Sequence, residues 1–260
     1  MNQKENVLSA RRVVALIPAR LAATRLPNKP LIDIAGYPMI YHVWQRANAA
    51  PGIALVAIAT PDAEIVRAVE SFGGAALLTS PAHRSGTDRL AEAANLLGLA
   101  ASDIVVNVQG DEPLIEPAAI ALAFAPLLAD IDLPMASLMC PCPAQDWDNS
   151  ACVKVVCARN GDALYFSRAR LPFSRSVSDA HPAGEIMQHI GLYAYRRDFL
   201  ARFASLPPSP LEQTESLEQL RVLENGYSIR MSRIETAPVG VDTPDDLERV
   251  RQIFGVSPIS

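Results

Sequence analysis

Three basic side chains lie close together near the start of this 260-residue chain, within residues 18–30. They are Arg20, Arg25 and Lys29, and no acidic residue lies between them. Arginine forks and a lysine point charge are the groups that bind the non-bridging oxygens of phosphates. The apolar run 13–19 leads into this segment, as in a buried parallel strand, and open α/β sheets bind ligands beyond the carboxyl ends of their strands. The spacing therefore predicts a triphosphate site on the loop after the first strand.

An acidic residue at a strand end could hold a hard cation beside those phosphates. Asp111 follows the apolar run 104–108, so its carboxylate would lie at the carboxyl end of a strand. Mg²⁺ in proteins is usually held by one or two carboxylates together with substrate phosphates. Another acid, Asp242, precedes Thr243 and Pro244, a sequence typical of a helix start, and could be a helix cap. Because Thr243 can fill that cap, Asp242 is available for another role.

The composition excludes several classes of protein. The net charge is −5, whereas a broad nucleic-acid surface needs a basic excess, so no nucleic-acid partner is expected. No apolar run is long enough to span a bilayer and residues 1–10 lack a signal-peptide core, so we expect no membrane partner and a cytoplasmic location. No GxGxxG and no GxxxxGK[ST] motif occurs, so phosphate binding must rely on side chains and loop amides. The four cysteines lie in or beside apolar runs and are predicted to be buried thiols.

Alternating strand-like and helical segments must position these residues. The strand-like runs of the first half are 13–19, 55–60, 76–79 and 104–108, with amphipathic helices between them. This alternation predicts a doubly wound, mostly parallel α/β sheet. The strand-like runs of the second half are 136–140, 152–158, 189–196 and 228–234. Their longer, Pro-rich loops predict a smaller antiparallel excursion over one edge of the sheet, followed by a single helix over 211–224.

The basic segment and six further motifs together resemble the sugar cytidylyltransferases, and among them those that act on the sugar acid Kdo. The six are HRSGTDR (83–89), VNVQGDEP (106–113), YFSR (165–168), HIGLYAYR (189–196), LEQLR (217–221) and GVDTPDDL (240–247). With the basic segment they occur in the expected order and span residues 13–251. One such motif would be weak evidence, whereas seven in order indicate membership of this family.

The resemblance implies a role for each matching residue. The nucleotide would be bound by the basic side chains, by backbone groups beside them and by the segment that closes on the cytosine and ribose. These residues are Ala19, Arg20, Arg25, Lys29, Ser85, Gly86 and Arg89. Asp111 and Asp242 would bind Mg²⁺ and, with Arg20, Arg25 and Lys29, would be the catalytic residues. The sugar acid would be bound by Gln109, Arg168, His189, Tyr193, Glu218 and Gln219.

The resemblance also implies how the chain is divided. Residues 1–12, which precede the first apolar run, are themselves predicted to be a disordered leader, and the resemblance makes 13–260 a single α/β domain of the nucleotide-diphospho-sugar transferase type. Within it, 13–135 would mainly bind the nucleotide, 136–240 would bind the sugar and form a dimerisation excursion, and 241–260 would be a C-terminal helix. In the strand 189–196, alternation would place His189, Tyr193 and Tyr195 on one face and apolar residues on the other.

The activity implied is transfer of CMP from CTP to the anomeric 2-hydroxyl of 3-deoxy-D-manno-octulosonate (Kdo), giving CMP-Kdo and pyrophosphate for lipopolysaccharide biosynthesis. A homodimer is expected. Three alternatives stay open: a cytidylyltransferase for another sugar acid such as sialic acid, a nucleotide-sugar-dependent glycosyltransferase, and a non-catalytic nucleotide-binding regulator. One departure from the family pattern is Pro61, inserted between Thr60 and Asp62, which leaves the role of Asp62 open.

Overall fold

The computed structural model describes residues 11–22, 26–83, 85–175 and 185–255. Arg25, residues 1–10 of the predicted leader and residues 256–260 of the predicted C-terminal segment lie outside this part of the chain. Arg12, the last residue of the predicted leader, is bound to Asp103. The Asp103 carboxylate accepts hydrogen bonds from the Arg12 backbone N–H at 3.0 Å and from its guanidinium at 2.9 Å.

The elements alternate between strand and helix through the first half, as the sequence predicts. The strands are β1 Val13–Pro18, β2 Asp33–Ile34, β3 Tyr37–Pro38, β4 Leu55–Thr60, β5 Ala75–Leu78, β6 Ile104–Asn107, β7 Met135–Pro141, β8 Lys154–Cys157, β9 Ala163–Ser167, β10 Met187–Arg196 and β11 Ile229–Arg233. The helices are α1 Met39–Asn48, α2 Ala63–Ser71, α3 Gly86–Leu96, α4 Pro117–Ala129, α5 Arg197–Ser205, α6 Pro210–Glu215, α7 Leu220–Glu224 and α8 Pro244–Ile253. Within the described ranges, no helix is both long and apolar enough to cross a bilayer.

In the described residues, nine strands form one sheet. Seven of them follow the order β11-β7-β10-β6-β1-β4-β5, and β8 and β9 are attached beside β10. Strand β1 pairs in parallel with both β4 and β6, and β4 pairs in parallel with β5. Strands β7 and β11 are parallel to each other, while β10 runs antiparallel to its neighbours β6 and β7. The predicted fold class, a mostly parallel α/β sheet with a smaller antiparallel part in the second half, is confirmed.

Both faces of the sheet are buried, which follows from the sequence of its strands. In β1, Val13, Ala15 and Ile17 pack into one apolar cluster, and the alternate residues Val14 and Leu16 pack into another. Helices α1, α2 and α4 supply residues to the first cluster, and α3 and α5 supply residues to the second. Continuous apolar strands of this kind require a helical layer on each side of the sheet.

The antiparallel part does not lie over one edge of the sheet, so the predicted position was wrong. Strand β10 lies inside the sheet between β6 and β7, and only the β8–β9 hairpin is appended to it. The physical reason is that β10 has apolar or aromatic residues on both faces. Ile190, Leu192 and Ala194 pack into the first cluster, and Tyr195 packs into the second. This alternation is the predicted one, and it is stabilised by burial of both faces inside the sheet.

The predicted helix 211–224 is also wrong, because the structure has two short helices there. Ser216 adopts the left-handed conformation, with φ 52°, and ends α6. The carbonyls of Glu215 and Ser216 accept hydrogen bonds from the Arg168 guanidinium, at 2.8 and 3.3 Å, instead of continuing a helix. Leu217 and Leu220 nevertheless face the core, as their spacing predicts.

A third, smaller apolar cluster lies apart from the two that cover the sheet. It joins the chain around residues 26–39 to the last helix of the described residues. Its buried members are Leu26, Ile34, Met39, Val241, Leu247 and Val250. This cluster therefore fixes the loop after β1 relative to the segment that contains Asp242.

The four cysteines are not disulfide-bonded, and three of them, Cys140, Cys142 and Cys152, are buried, whereas Cys157 is half-buried. Burial raises the pKa of the Cys140 and Cys157 thiols to about 11. These thiols are neutral at physiological pH, which agrees with the predicted structural role.

Candidate active site

Strands β1 and β6 are parallel neighbours, so their carboxyl ends meet at one edge of the sheet. A cavity of about 340 Å³ opens there. Its lining includes Ala19, Arg20, Lys29, Gln109, Gly110, Asp111 and Asp242. Gly110 is required sterically, because a Cβ at that position would lie 2.8 Å from the Pro18 carbonyl oxygen. The glycine lets the loop after β6 pass closely against the loop after β1.

Lys29 joins the two predicted metal ligands. Its ammonium group donates hydrogen bonds to Asp111 Oδ2 at 2.8 Å and to Asp242 Oδ1 at 3.0 Å. Burial of Lys29 disfavours its charged form, but attraction to Asp111 and Asp242 outweighs this, and the pKa of Lys29 is raised above its ordinary value. The structure therefore brings together one cation of the predicted phosphate site and both acids of the predicted metal pair.

Backbone contacts explain how Asp242 reaches this edge from a distant part of the sequence. The Val241 N–H donates to the Asp111 carbonyl at 2.8 Å, so the two acidic residues lie on paired segments. Thr243 is the N-cap of α8, because its hydroxyl accepts from the Asp246 N–H and the Asp246 carboxylate accepts from the Thr243 N–H. The cap is thus Thr243 rather than Asp242, as the sequence predicts.

A second cavity of about 140 Å³ adjoins the first, since both are lined by Pro18, Ala19 and Arg20. It is lined by Pro18, Ala19, Arg20, Ser85, Gly86 and Arg89. Arg89 is buried and donates to Thr79 Oγ1 at 2.7 Å. Burial, followed by repulsion from Arg20, lowers the pKa of Arg89. Two guanidinium groups that repel each other across a cavity are well placed to bind an anion between them.

Asp62 orders the start of the phosphate loop. Its Oδ2 accepts a hydrogen bond from the Leu21 backbone N–H at 2.8 Å, and its negative charge also faces Arg89. The insertion of Pro61 therefore does not remove this acid from the site. The sequence signal that could have found it is an acidic residue just beyond the carboxyl end of β4.

Three of the predicted sugar-binding residues lie around an irregularity in β10, namely Gln109, His189 and Tyr193. The pairing of β10 with β7 shifts between Ile190 and Tyr193. The Gln109 side-chain amide donates to the Gly191 carbonyl at 2.9 Å within this bulge. His189 Nε2 lies 3.0 Å from Ser137 Oγ, and burial lowers the pKa of His189 to about 3, so its ring is neutral. β-Bulges beside active sites commonly redirect side chains, and across this one the rings of His189 and Tyr193 still pack together, with their centroids 5.3 Å apart.

Glu218 and Gln219 lie on the turn before α7. Glu218 Oε2 accepts a hydrogen bond from the Thr87 hydroxyl at 3.0 Å, and desolvation, followed by the charge of Glu218, raises the pKa of the half-buried Tyr193. Gln219 is only 4% exposed, and within the described residues its Nε2 has no hydrogen-bond partner. An unsatisfied buried donor of this kind favours a polar ligand. The structure thus brings Glu218 and Tyr193 together.

Arg168 lies at the end of β9, apart from the cavity at β1 and β6. Its guanidinium donates to the carbonyls of Glu215, Ser216 and Ser150, at 2.8, 3.3 and 3.0 Å. In this arrangement Arg168 holds the turn between α6 and α7, and through it the segment of Glu218. A direct contact between Arg168 and the sugar carboxylate stays a prediction.

Comparison with known proteins relates this site to an enzyme family. A family model described as cytidylyltransferase matches residues 14–232. The chain is 51% identical over 240 residues to the 3-deoxy-manno-octulosonate cytidylyltransferase of Syntrophobacter fumaroxidans, covering 92% of this chain and 95% of that protein.

The chain belongs to the cytidylyltransferase family.

Two further relatives agree with this membership. The 3-deoxy-manno-octulosonate cytidylyltransferase of Geobacter metallireducens is 48% identical over 247 residues, which cover 92% of this chain and 96% of that protein. A solved structure of CMP:2-keto-3-deoxy-manno-octonic acid synthetase complexed with CTP has a TM-score of 0.88 and 43% identity, and covers 94% of this chain and 98% of that chain. The resemblance inferred from the seven motifs is therefore confirmed.

The donor set of this cytidylyltransferase fits a magnesium ion that is shared with substrate. Among the described residues, no group of three or more His, Cys, Asp or Glu side chains could hold a metal by itself. Asp111 and Asp242 supply two carboxylates at one cavity, which is the number that Mg²⁺ takes when phosphates and waters complete its shell. Asp111 and Asp242 are therefore the residues that would hold it.

One half-buried acid next to the site escaped sequence reasoning. Glu112 follows Asp111, and burial together with the Asp111 charge raises the pKa of Glu112 to about 8. Its Oε2 has no hydrogen-bond partner within the described part of the chain. The motif QGDEP shows that an acid is present, but only the packing reveals that it is half-buried.

Replacing Asp62 tests the loop-ordering contact in this cytidylyltransferase. Asp62→Ala removes the acceptor of the Leu21 N–H, and we expect the dissociation constant for CTP to rise about tenfold, because a hydrogen bond to a charged group that orders the loop contributes about 1.5–3 kcal/mol. Asp62→Asn is the matched control, because it keeps an acceptor oxygen and removes only a negative charge near the phosphates. Its CTP affinity should equal that of the wild type or exceed it. Calorimetric titration measures the dissociation constant for CTP in both variants. Equal weakening of CTP binding in Asp62→Ala and Asp62→Asn would contradict the role of Asp62 as the hydrogen-bond acceptor that orders the loop.

Proposed function

We propose that this enzyme transfers CMP from CTP to the anomeric 2-hydroxyl of Kdo, releasing pyrophosphate and forming CMP-Kdo. The observation that carries the proposal is the Lys29–Asp111–Asp242 cluster beside Arg20, in a chain about half identical along its length to relatives named for this reaction. A nucleotide-sugar-dependent glycosyltransferase and a non-catalytic regulator are less well supported, because nearly the whole chain matches cytidylyltransferases.

The reaction is an in-line displacement at the α-phosphorus of CTP. The sugar oxygen forms the new bond to phosphorus as the bond to the pyrophosphate oxygen breaks, and the hydroxyl proton is released. Arg20 and Lys29 bind and orient the phosphates, and their charges stabilise the negative charge that grows on the leaving pyrophosphate. Mg²⁺ held by Asp111 and Asp242 would neutralise phosphate charge and lower the pKa of the attacking hydroxyl.

The nucleotide and the sugar acid occupy different parts of the proposed site. Ser85, Gly86 and Arg89 line the second cavity, where the cytosine and ribose are proposed to bind. The neutral imidazole of His189 is suited to hydrogen bonding rather than to acid–base catalysis at neutral pH, because burial lowers its pKa to about 3. Gln109, Tyr193, Glu218 and Gln219 supply polar groups to the proposed sugar side.

A pyrophosphate-release assay tests the function directly. The protein is incubated with CTP, Mg²⁺ and either Kdo or a nine-carbon sialic acid, and a parallel reaction contains Kdo with a nucleotide sugar in place of CTP. We expect pyrophosphate and CMP-Kdo only from the mixture that contains CTP and Kdo. If the enzyme preferred sialic acid, it would instead be a cytidylyltransferase for that sugar acid. Glycosyl transfer from the nucleotide sugar, or no turnover in any mixture, would reject the proposed function.

Sugar recognition should be separable from nucleotide binding. We expect Glu218→Ala and Gln219→Ala to raise KM for Kdo about tenfold or more, because a site built around hydroxyl hydrogen bonds loses much of its affinity when one partner is removed. The dissociation constant for CTP, measured without sugar, should stay near that of the wild type. Gln252→Ala, on the exposed side of α8, is the control for loss of a glutamine. Equal loss of CTP affinity and Kdo use would contradict a sugar-side role.

We further infer that the enzyme uses Mg²⁺ and acts in the cytoplasm as a homodimer. The two-carboxylate donor set supports the metal, and the family resemblance supports the compartment and the dimer. Light scattering on the purified protein measures the oligomeric state.

A further inference from the structure

Helix α3 begins between two cavities, one on each side of its first turn. Ser85, its N-cap, lines the cavity that contains Arg20 and Arg89, and it also lines a separate cavity of about 530 Å³ that contains Glu218. The Ser85 hydroxyl accepts from the Asp88 N–H at 3.1 Å, and the Asp88 carboxylate accepts from the Ser85 N–H at 3.3 Å. This reciprocal capping stabilises the helix start, which borders both cavities.

Thr87, in the first turn of α3, connects this helix start to the sugar side. It is 3% exposed, and its hydroxyl donates to Glu218 Oε2 at 3.0 Å, across 131 residues of sequence. This hydrogen bond ties the first turn of α3 to the turn before α7.

Glu218 needs such a partner to hold one orientation. Burial raises the pKa of Glu218, and the Thr87 hydrogen bond and the Arg221 charge act in the opposite direction. Arg221 is mainly bound to Glu212, to which it donates at 2.7 Å through Nε, whereas its closest nitrogen lies 3.4 Å from Glu218. The contact of Glu218 with Thr87, at 3.0 Å, is therefore shorter than its contact with Arg221.

We propose that Thr87 is a positioning residue that couples nucleotide binding to sugar binding. When the Ser85–Gly86 segment binds the nucleotide, the first turn of α3 is fixed, and the Thr87 hydroxyl then holds Glu218 in the orientation that accepts the sugar hydroxyls. The coupling is reciprocal, because any effect of the nucleotide on sugar affinity must equal the effect of the sugar on nucleotide affinity. This inference rests on the proposed function, in which Glu218 faces the sugar acid.

Two substitutions separate hydrogen bonding from packing at this position. Thr87→Val keeps the shape of the side chain and removes the hydroxyl, whereas Thr87→Ser keeps the hydroxyl and removes the methyl group. We expect Thr87→Val to raise KM for Kdo about tenfold, the loss typical of a hydrogen bond to a charged group, while the dissociation constant for CTP measured without Kdo changes less than about twofold. Thr87→Ser should restore KM for Kdo to within about threefold of the wild-type value.

A binding measurement tests the coupling without turnover. The dissociation constant of α,β-methylene-CTP, which cannot transfer its nucleotidyl group, is measured with and without saturating Kdo. The wild-type protein and Thr87→Ser should bind the analogue several-fold more tightly when Kdo is present, and in Thr87→Val this ratio should fall towards one. A Kdo effect of equal size in Thr87→Val, or equal losses in the valine and serine variants, would overturn the proposal.

Failure of this inference is distinguishable from failure of the proposed function. If the wild-type protein releases no pyrophosphate with CTP and Kdo, the function itself is wrong. If the wild-type protein is active and Thr87→Val has an unchanged KM for Kdo, the function stands and the positioning role is wrong.

Discussion

Asp242→Asn should lower kcat about a thousandfold while the protein keeps its fold. The amide has nearly the same volume as the carboxylate but lacks the negative charge that a hard cation requires. Charge stabilisation by a bound metal contributes several kcal/mol to a transition state, and 4 kcal/mol corresponds to about a thousandfold in rate. Asp111→Asn should have an effect of the same size, because both carboxylates contact the same ammonium group, at 2.8 and 3.0 Å.

The measurement combines steady-state turnover with Mg²⁺ titration by calorimetry in the presence of CTP. The matched control is Asp245→Asn, an exposed acid in the first turn of α8 that does not line the cavity. Its turnover and Mg²⁺ affinity should stay near wild-type values. Full activity in Asp242→Asn would reject Asp242 as a metal ligand.

Lys29→Ala should lower kcat about a hundredfold at saturating CTP and should also weaken CTP binding. The negative charge on pyrophosphate grows as it leaves, so a cation at this position stabilises the transition state more than the bound substrate. The loss corresponds to about 2.7 kcal/mol, which is comparable to the removal of one oxyanion-hole donor. Lys29→Met controls for the apolar stem of the side chain, and its kcat should fall by the same factor.

Metal binding distinguishes the roles of Lys29 and the two acids. In the structure, the Lys29 ammonium contacts both carboxylates, so its removal leaves Asp111 and Asp242 without that cation. Mg²⁺ affinity should therefore be unchanged or higher in Lys29→Ala and lower in Asp242→Asn. A rise confined to KM for CTP, with kcat unchanged, would show that Lys29 binds substrate and transition state equally.

The sequence predicts those features that depend on local pattern. Strand β4 matches its predicted bounds, and β1 and β6 differ from theirs by one residue, because continuous apolar runs before polar loops define buried strands. Thr243 caps α8 as predicted, because the cap depends only on adjacent residues. The meeting of the Lys29 loop with Asp111 follows from the rule that parallel strands end at one edge of the sheet, whereas the place of Asp242 beside them is implied only by the resemblance to the family.

The features that the sequence does not predict depend on tertiary contacts. The break at Ser216 arises because Arg168, far away in sequence, binds the carbonyls that would continue a helix. The place of β10 inside the sheet depends on which strands it pairs with, and alternation within one strand carries no information about its neighbours. The contact of Asp62 with Leu21 and that of Thr87 with Glu218 likewise join segments whose proximity only the fold creates.

The small apolar cluster formed by Leu26, Ile34, Met39, Val241, Leu247 and Val250 has a consequence for how the enzyme loses activity. It anchors both the loop of Lys29 and the helix that follows Asp242, yet it is separate from the two larger clusters that cover the sheet. Regions with few buried apolar contacts open at a lower free energy than the core. Release of α8 would separate Asp242 from Lys29 and Asp111 while the nine strands stay paired. We therefore expect mild heat to inactivate the enzyme by local opening of this cluster. The circular-dichroism spectrum would stay native because the sheet is intact, so it would not report the fraction of molecules that are active.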